Sequence, residues 1–279
     1  MRARAGIPLS LLFMLAASAP AIAQGANSRL SPDEKGVMLH DYGGKIGKVY
    51  NPTVVGLEGT RYYYDYQATG NFESRQKFLN TADWLVEHAK DKGSYSLWEY
   101  SFDWPHYDGF KAPYSSALAQ ARGIDVLIKA YDETGEEAYM QEARKAFGSF
   151  VVEYEDGGVV SNEGDDSVFL QILAKPGAPK TYVLNGHTKS LLLIKEYYEY
   201  TNDYRAMLVF GKGMNWLLEN LPRYDAGNWS YYDLLGKTAS KSYHNGQTKQ
   251  IAQLYDVTGE PLLKKYHLRF AGYEARIGL

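Results

Sequence analysis

The sequence contains no cysteine, which excludes two common ways of stabilising an exported protein. A chain without thiols has neither a disulfide framework nor a thiolate metal site, so its fold must depend on a packed core. An excess of positive charge is also absent. The formal net charge is −3, which gives no basic field to hold a polyanion, so nucleic acid is not an expected partner.

Long hydrophobic runs are absent after the first residues. No later segment is apolar over about 18 positions, which disfavours an integral membrane protein. The chain nevertheless has enough apolar sequence for a sizeable core, with 279 residues of which 45% are hydrophobic and 23% charged. Tyrosine is frequent, at 25 residues against 10 phenylalanines. Its ring and hydroxyl together are typical of carbohydrate-binding clefts.

The N-terminus has the pattern of a secretory signal. Arg2 and Arg4 precede the apolar run "IPLSLLFMLAASA", and "AIA" at 21–23 places small residues before an expected cleavage ahead of Gln24. We therefore predict a signal peptide over 1–23, an N-terminal extension over 24–44 and a secreted or periplasmic mature protein.

The rest of the chain repeats one unit four times: an apolar helix, a short turn and an amphipathic helix. Each turn has a residue suited to a left-handed helix C-cap, and these are Gly70, Gly135, Asn202 and Gly259. The first helix of each pair is apolar nearly all round, as in "SLLLIKEYYEY", and is expected to lie inside the second. The pattern predicts a mainly all-α fold over 45–279, an incomplete α/α toroid of about four αα-hairpins.

Long stretches rich in glycine, aspartate, proline and aromatic residues separate one hairpin from the next. Loops of this length in a compact domain are usually functional or carry small strands. We expect them to contain short β-segments and to cluster at one mouth of the toroid, over the ends of the inner helices.

Five segments in succession resemble the C-terminal catalytic domain of the D-glucuronyl C5-epimerases, over about residues 45–275. They are "YNPTVVGLEGTRYYYDYQATGNFESRQKFLNTADWLV", "APYSSALAQARGIDVLIKAY", "YVLNG", "RYDAGNWSYYDL" and "YHNGQTKQIAQLYDVTG". The resemblance implies an incomplete α/α toroid that acts on glucuronate residues of a polysaccharide, heparosan in the best known cases, and inverts C5 to give iduronate. On this reading, we expect no counterpart of that family's separate N-terminal β-domain in the residues before 45.

Epimerisation at C5 requires two acid/base groups that face each other across the sugar ring. One removes a proton next to the carboxylate, and the other returns a proton to the opposite face. A phenolate is a stronger base than a carboxylate, and a phenol with a pKa of about 10 can reprotonate carbon. The resemblance places two catalytic tyrosines at Tyr232, in "YDL", and Tyr243, in "YH". The alternative is that both tyrosines only pack the mouth of the toroid.

Four further residues are candidates for substrate binding, each with a structural alternative. His244 could bind substrate or tune the neighbouring phenol. Asn185 either caps an inner helix or contacts the sugar. The Gln120 amide could face sugar hydroxyls at the start of another inner helix. Arg122 is a cation near these motifs, although such a residue is most often solvated. The chemistry requires no metal or cofactor, and the acidic stretches lack the spacing of a calcium loop.

The sequence departs from the family pattern before "VLNG". The family has an acidic aromatic segment of the form "EEYP" there, which supplies a glutamate and a tyrosine to the site. The positions are occupied here by Leu173, Ala174 and Lys175. The acids that could substitute, if the loop is rebuilt, are Glu163, Asp165 and Asp166. In addition, Leu235 occupies the position of an arginine that often follows "YDL" in the family. The second histidine expected after "YH" is absent, and Gln247 is the residue nearest to its position.

Three functions are compatible with this pattern. The first is a C5-epimerase for a uronate-containing polysaccharide with a rearranged second acid/base group. The second is a polysaccharide lyase, because loss of the C4 substituent can follow the same proton abstraction; the fold argument for it is analogy alone. The third is a glycan-binding protein without activity. A homodimer, in which a second subunit replaces the missing β-domain, is left open.

Overall fold

The structure is a computed structural model that describes residues 29–276, and this part of the chain is mainly helical. Its eight helices form four consecutive hairpins: α1 (Pro52–Thr69) with α2 (Phe72–His88), α3 (Ala117–Thr134) with α4 (Glu137–Phe147), α5 (Leu184–Thr201) with α6 (Tyr204–Asn220), and α7 (Lys241–Thr258) with α8 (Pro261–Arg276). The prediction of four αα-hairpins is confirmed. The predicted signal peptide lies outside the described residues.

The four hairpin turns share one local structure. The first helix of each pair ends at a C-cap residue in the left-handed region, and its N–H bonds the carbonyl of a tyrosine four positions earlier. The C-cap residues are Gly70, Gly135, Asn202 and Gly259. A threonine precedes each of them, and its hydroxyl donates to the carbonyl four residues back. The turns are therefore specified locally, since glycine and asparagine tolerate the required φ.

The first helices of the pairs form the inner layer. Contacts run from α1 to α3, from α3 to α5 and from α5 to α7, whereas each second helix packs mainly on its own partner. The inner helices approach closely in places, and Gly56 of α1 lies against Arg122 of α3, where an added Cβ would come within 2.7 Å of the Arg122 Cβ. This arrangement is an incomplete α/α toroid, as predicted. No helix within residues 29–276 is long and apolar enough to cross a bilayer.

The segments between hairpins carry the short β-structure that the sequence predicts. Two antiparallel two-stranded sheets lie in these segments. They are β4 (Lys90–Asp91) with β5 (Ser96–Leu97), and β6 (Val160–Asn162) with β7 (Val168–Leu170). Three short 3₁₀ segments lie at 148–151, 154–156 and 221–224. These connections lead into the N-terminal ends of the inner helices, which places their side chains together at one mouth.

The N-terminal region is part of the same packed unit. A three-stranded antiparallel sheet consists of β1 (Leu30–Pro32), β2 (Met38–Asp41) and β3 (Lys48–Val49), and β2 packs on α1. Asp41 pairs with Lys48 across the predicted boundary between residues 44 and 45. The division into a 24–44 extension and a 45–279 domain therefore cuts a β-hairpin. Sequence periodicity did not reveal strands this short.

Candidate active site

Tyr232 and Tyr243, the two predicted catalytic tyrosines, lie together at the mouth. Tyr243 is in the first turn of α7, where its N–H bonds the Ser240 hydroxyl at the N-cap, and Tyr232 is in the preceding loop. Their ring centroids are 4.7 Å apart with an interplanar angle of 53°. The Tyr243 ring is 45% exposed, whereas burial raises the pKa of Tyr232 well above its usual value. The pair therefore combines an accessible phenol with a partly buried one.

Backbone hydrogen bonds fix the loop that carries Tyr232. Its N–H donates to the Lys237 carbonyl at 2.6 Å, and its carbonyl accepts from the Leu184 N–H at 3.1 Å. The second bond joins this loop to the start of α5. Tyr232 is thus held between the N-terminal ends of two inner helices.

Aromatic side chains from the N-terminal half line the same mouth. Tyr100 stacks on Tyr114 at 4.7 Å, and its hydroxyl lies 2.7 Å from that of Thr53 at the start of α1. The Tyr42 hydroxyl accepts from the Asn51 amide at 2.6 Å. Burial raises the pKa of Tyr42, and the neighbouring phenol of Tyr243 raises it further. No signal in the sequence marks Tyr42, which precedes the first hairpin, whereas Tyr100 lies in one of the aromatic-rich stretches expected at the mouth.

Another tyrosine, Tyr107, joins this cleft from the loop between β5 and α3. The Tyr107 hydroxyl donates to Asp233 Oδ2 at 2.5 Å, across 126 positions of sequence. The Lys237 ammonium lies 5.5 Å from the centre of the Tyr107 ring and 5.4 Å from that of Tyr232. Burial raises the pKa of Tyr107, and the bond to Asp233 raises it further. Tyr107 had no signal in the sequence beyond its aromatic loop.

The predicted role of Gln120 in substrate binding is wrong. The side chain is completely buried, its Oε1 accepts from the Trp98 N–H at 2.9 Å, and its Nε2 donates to the Ser96 carbonyl at 2.9 Å and the Ser149 hydroxyl at 3.3 Å. The amide therefore pairs polar groups inside the protein and does not reach sugar hydroxyls.

His244 is also a structural residue, contrary to the prediction of direct substrate contact. Its ring is completely buried and stacks on Trp229 at 3.7 Å. Nδ1 accepts from the Ser230 N–H at 3.2 Å, and Nε2 donates to the Phe270 carbonyl at 3.1 Å. Because burial lowers the pKa of His244, the ring is neutral near pH 7. It packs the base of the tyrosine-bearing loop against α8.

Asn185 and Arg122 remain candidates in different positions. Asn185 is in the first turn of α5 but does not cap it, since the N-cap residue is Val183. Within residues 29–276, neither the Asn185 Oδ1 nor the Arg122 Nε has a hydrogen-bond partner. Arg122, on α3, lies against Gly56 of α1. Burial lowers its pKa to about 10, and the carboxylates of Asp125 and Glu58 oppose that shift. Each side chain thus has one buried polar atom without a partner in this part of the chain.

The positions of the missing acidic segment are filled by apolar packing. Leu173 and Ala174 are 4% and 3% exposed, and Leu173 belongs to a buried cluster with Tyr100, Phe102 and others. The Lys175 ammonium donates to the carbonyl of Lys111 at 2.6 Å.

Glu163, one of the acids considered as a substitute, is engaged elsewhere. It accepts from the Tyr182 hydroxyl at 3.0 Å and from Lys180 at 2.9 Å. Tyr182 in turn stacks on Trp216 of the outer helix α6. Glu163 therefore does not replace the lost glutamate at the mouth.

The fold and this mouth define an α/α toroid with a tyrosine-rich cleft at the N-terminal ends of its inner helices. The same architecture occurs in the cellobiose 2-epimerase of Spirochaeta thermophila, with a TM-score of 0.61, 12% sequence identity and coverage of 89% of this chain and 65% of that one. At this identity the likeness concerns the fold alone.

The sequence comparisons identify the family. Residues 91–272 match the family described as "D-glucuronyl C5-epimerase C-terminus", and the chain belongs to this family of carbohydrate epimerases. A D-glucuronyl C5-epimerase of Caenorhabditis elegans is 29% identical over 215 residues, which are 70% of this chain and 34% of that protein. The match thus spans about a third of that relative's length. An uncharacterized protein of Methanocaldococcus jannaschii is 29% identical over 242 residues, 81% of this chain and 78% of that one.

Proposed function

We propose that this protein is a C5-epimerase acting on the uronate residues of a polysaccharide, D-glucuronate in the first instance. The observation that carries the proposal is the contact between Tyr232 and Tyr243 at the mouth of the toroid, in a loop and the following helix that both belong to the matched family region. The membership of the family supports the epimerase class, and the local chemistry of the two phenols supports the reaction.

The reaction needs a proton donor that stays neutral near pH 7. Burial raises the pKa of Tyr232, so its phenol keeps its proton and can return one to C5. Tyr243, at 45% exposure, is open to the cleft and to solvent, through which protons are exchanged between turnovers. The half-buried ring of Tyr42, near the Tyr243 phenol, offers an apolar face to a pyranose, as aromatic residues in sugar sites do.

Export is part of the same proposal. It rests on Arg2, Arg4 and the "AIA" segment, which precede the described residues. A mature, soluble protein that begins near Gln24 in mass spectrometry is the expected result, and one that retains Met1 would contradict it.

Exchange of the C5 hydrogen with solvent deuterium tests the function. Wild type is expected to incorporate deuterium at C5 of heparosan in D₂O, and Tyr232→Phe or Tyr243→Phe to slow the conversion of glucuronate to iduronate at least about 100-fold, the scale of a lost general acid or base. Tyr231→Phe is the matched control in the same loop. Absorbance of an unsaturated uronate would assign the protein as a lyase. Binding of the polymer with no exchange in wild type would exclude both enzymatic functions.

A further inference from the structure

Asp233 is a buried carboxylate whose two oxygens have separate tasks. Its Oδ1 accepts from the backbone N–H groups of Leu235 and Lys237, both at 3.0 Å, and this shapes the tight turn after Tyr232. Its Oδ2 accepts the Tyr107 hydroxyl at 2.5 Å. The side chain is completely buried. The turn needs only Oδ1, so Oδ2 is available for the phenol.

The Tyr107 ring lies where the family's acidic segment is missing. It packs against the buried cluster that contains Leu173, which occupies one of the positions of that segment. Glu163 is held by Tyr182 and Lys180 and does not reach this place. Asp233, reached through the Tyr107 hydroxyl, is therefore a carboxylate that can serve this side of the cleft.

Lys237 adds a positive charge between two phenols. Its ammonium lies over the rings of Tyr107 and Tyr232, at 5.5 Å and 5.4 Å. The side chain is exposed to the cleft, and its charge is not neutralised by a salt bridge within residues 29–276. A cation at this point can take up the charge that develops on a substrate carboxylate when C5 loses its proton.

We propose that Tyr107, with Asp233 as its proton acceptor, is the second acid/base group of the epimerisation, and that Lys237 binds the substrate carboxylate. This inference rests on the proposed function. It assigns one face of the sugar ring to Tyr107 and the other to the pair of Tyr232 and Tyr243.

The proton balance of the step is closed. The Tyr107 oxygen takes the C5 proton while its own phenolic proton moves to Asp233 Oδ2, and the C5–H electron pair forms the enediolate beside Lys237. Tyr232 or Tyr243 then donates a proton to the opposite face of C5. Water reprotonates the donor and leaves a hydroxide. Asp233 returns its proton to Tyr107 as the Tyr107 phenol releases the proton taken from C5 to solvent, where it neutralises that hydroxide. The substrate loses one proton and gains one, and no other reactant is needed.

The test compares C5 hydrogen exchange from the two epimers. A two-base enzyme that loses one base stops exchanging the epimer whose proton that base removes, but it still exchanges the other. Heparosan supplies glucuronate, and chemically desulfated heparin supplies iduronate. Tyr107→Phe is expected to slow exchange at least about 100-fold from one polymer only, and Tyr243→Phe from the other.

Asp233→Asn examines the relay without removing the turn. The amide oxygen can still accept from both backbone N–H groups, but its NH₂ cannot take the Tyr107 proton. This variant is expected to lose C5 hydrogen exchange from the same polymer as Tyr107→Phe. If Asp233 had only a structural role, the substitution would lower exchange from the two polymers equally. Tyr231→Phe is the control for a lost phenol in this loop, and circular dichroism checks the folding of every variant.

A binding measurement examines Lys237 independently of turnover. Lys237→Gln is expected to weaken binding of a heparosan oligosaccharide at least about tenfold, a typical effect of losing one charge-assisted contact. Binding of the carboxyl-reduced oligosaccharide is expected to stay unchanged. Equal weakening of both oligosaccharides would overturn the role of Lys237. Equal exchange from both epimers in Tyr107→Phe would overturn the second-base assignment while the proposed function stands. A wild type that exchanges neither polymer would overturn both.

Discussion

Replacement of Gln120 by leucine tests whether this amide belongs to the scaffold. Leucine has a similar volume, so packing is largely kept, but the Trp98 N–H and the Ser96 carbonyl lose partners that now lie at 2.9 Å. All of these groups are inside the protein, and Gln120 is 0% exposed. A buried polar group left without a partner costs about 1–3 kcal/mol, so two such groups are expected to lower the free energy of unfolding by about 2–6 kcal/mol.

Urea unfolding measures this loss. The midpoint is expected to fall with an unchanged m value, since the surface exposed on unfolding is the same. Gln76→Leu is the matched control, because that amide is exposed on α2 and bonds only Asn80; its effect is expected to stay within about 0.5 kcal/mol. If Gln120→Leu unfolded like wild type but no longer bound heparosan, the amide would face the substrate and the scaffold argument would fail.

Two further predictions concern pH and packing. Burial lowers the pKa of His187 from 6.5 to about 3, so on acidification the unfolded chain binds a proton before the folded protein does. The free energy of unfolding is therefore expected to fall as the pH drops below about 6.5, by at most about 1.4 kcal/mol per pH unit. Urea titrations at several pH values should show this slope in wild type and its loss in His187→Gln. Gly123→Ala puts a methyl group within 2.4 Å of the Trp98 ring and should lower the free energy of unfolding by about 1–3 kcal/mol. Gly272→Ala on α8 has open space around it and should raise the free energy of unfolding by up to about 1 kcal/mol. Thermal melts that rank the two variants in the opposite order would contradict this.

The toroid could be predicted from the sequence because its signals are local. Each hairpin turn depends on a threonine and a glycine or asparagine next to each other, as at Thr134 and Gly135, and the bonds that they make span four residues. The apolar periodicity of each helix is likewise contained in one segment. The proximity of Tyr232 and Tyr243 could be expected from the family resemblance, since both lie in short motifs that match it, on one loop and the helix that follows.

The remaining part of the cleft depends on contacts between distant segments. Tyr107 meets Asp233 across 126 positions, and Tyr42 directly follows β2, a strand too short to give a periodic signal. Burial has the same origin. Gln120 and His244 are polar residues next to family motifs, but the segment around Trp98 covers the first and α8 covers the second. Residue type and spacing do not reveal which loop will fold over a side chain.

The loss of the acidic segment and the bond between Tyr107 and Asp233 can be understood as one change. A carboxylate at position 173 would lie within the apolar cluster around Phe102 and Phe110, where Leu173 is 4% exposed, and burying an unpaired charge there is costly. Asp233 avoids that cost, because two backbone N–H groups and one phenol donate to its oxygens. Apolar packing thus occupies the place of the acidic segment, and Tyr107 connects this side of the cleft to the Asp233 carboxylate. In the proposed mechanism, activity depends on the hydrogen bond between Tyr107 and Asp233. Leu173→Glu alone would therefore destabilise the protein without replacing the function of that bond.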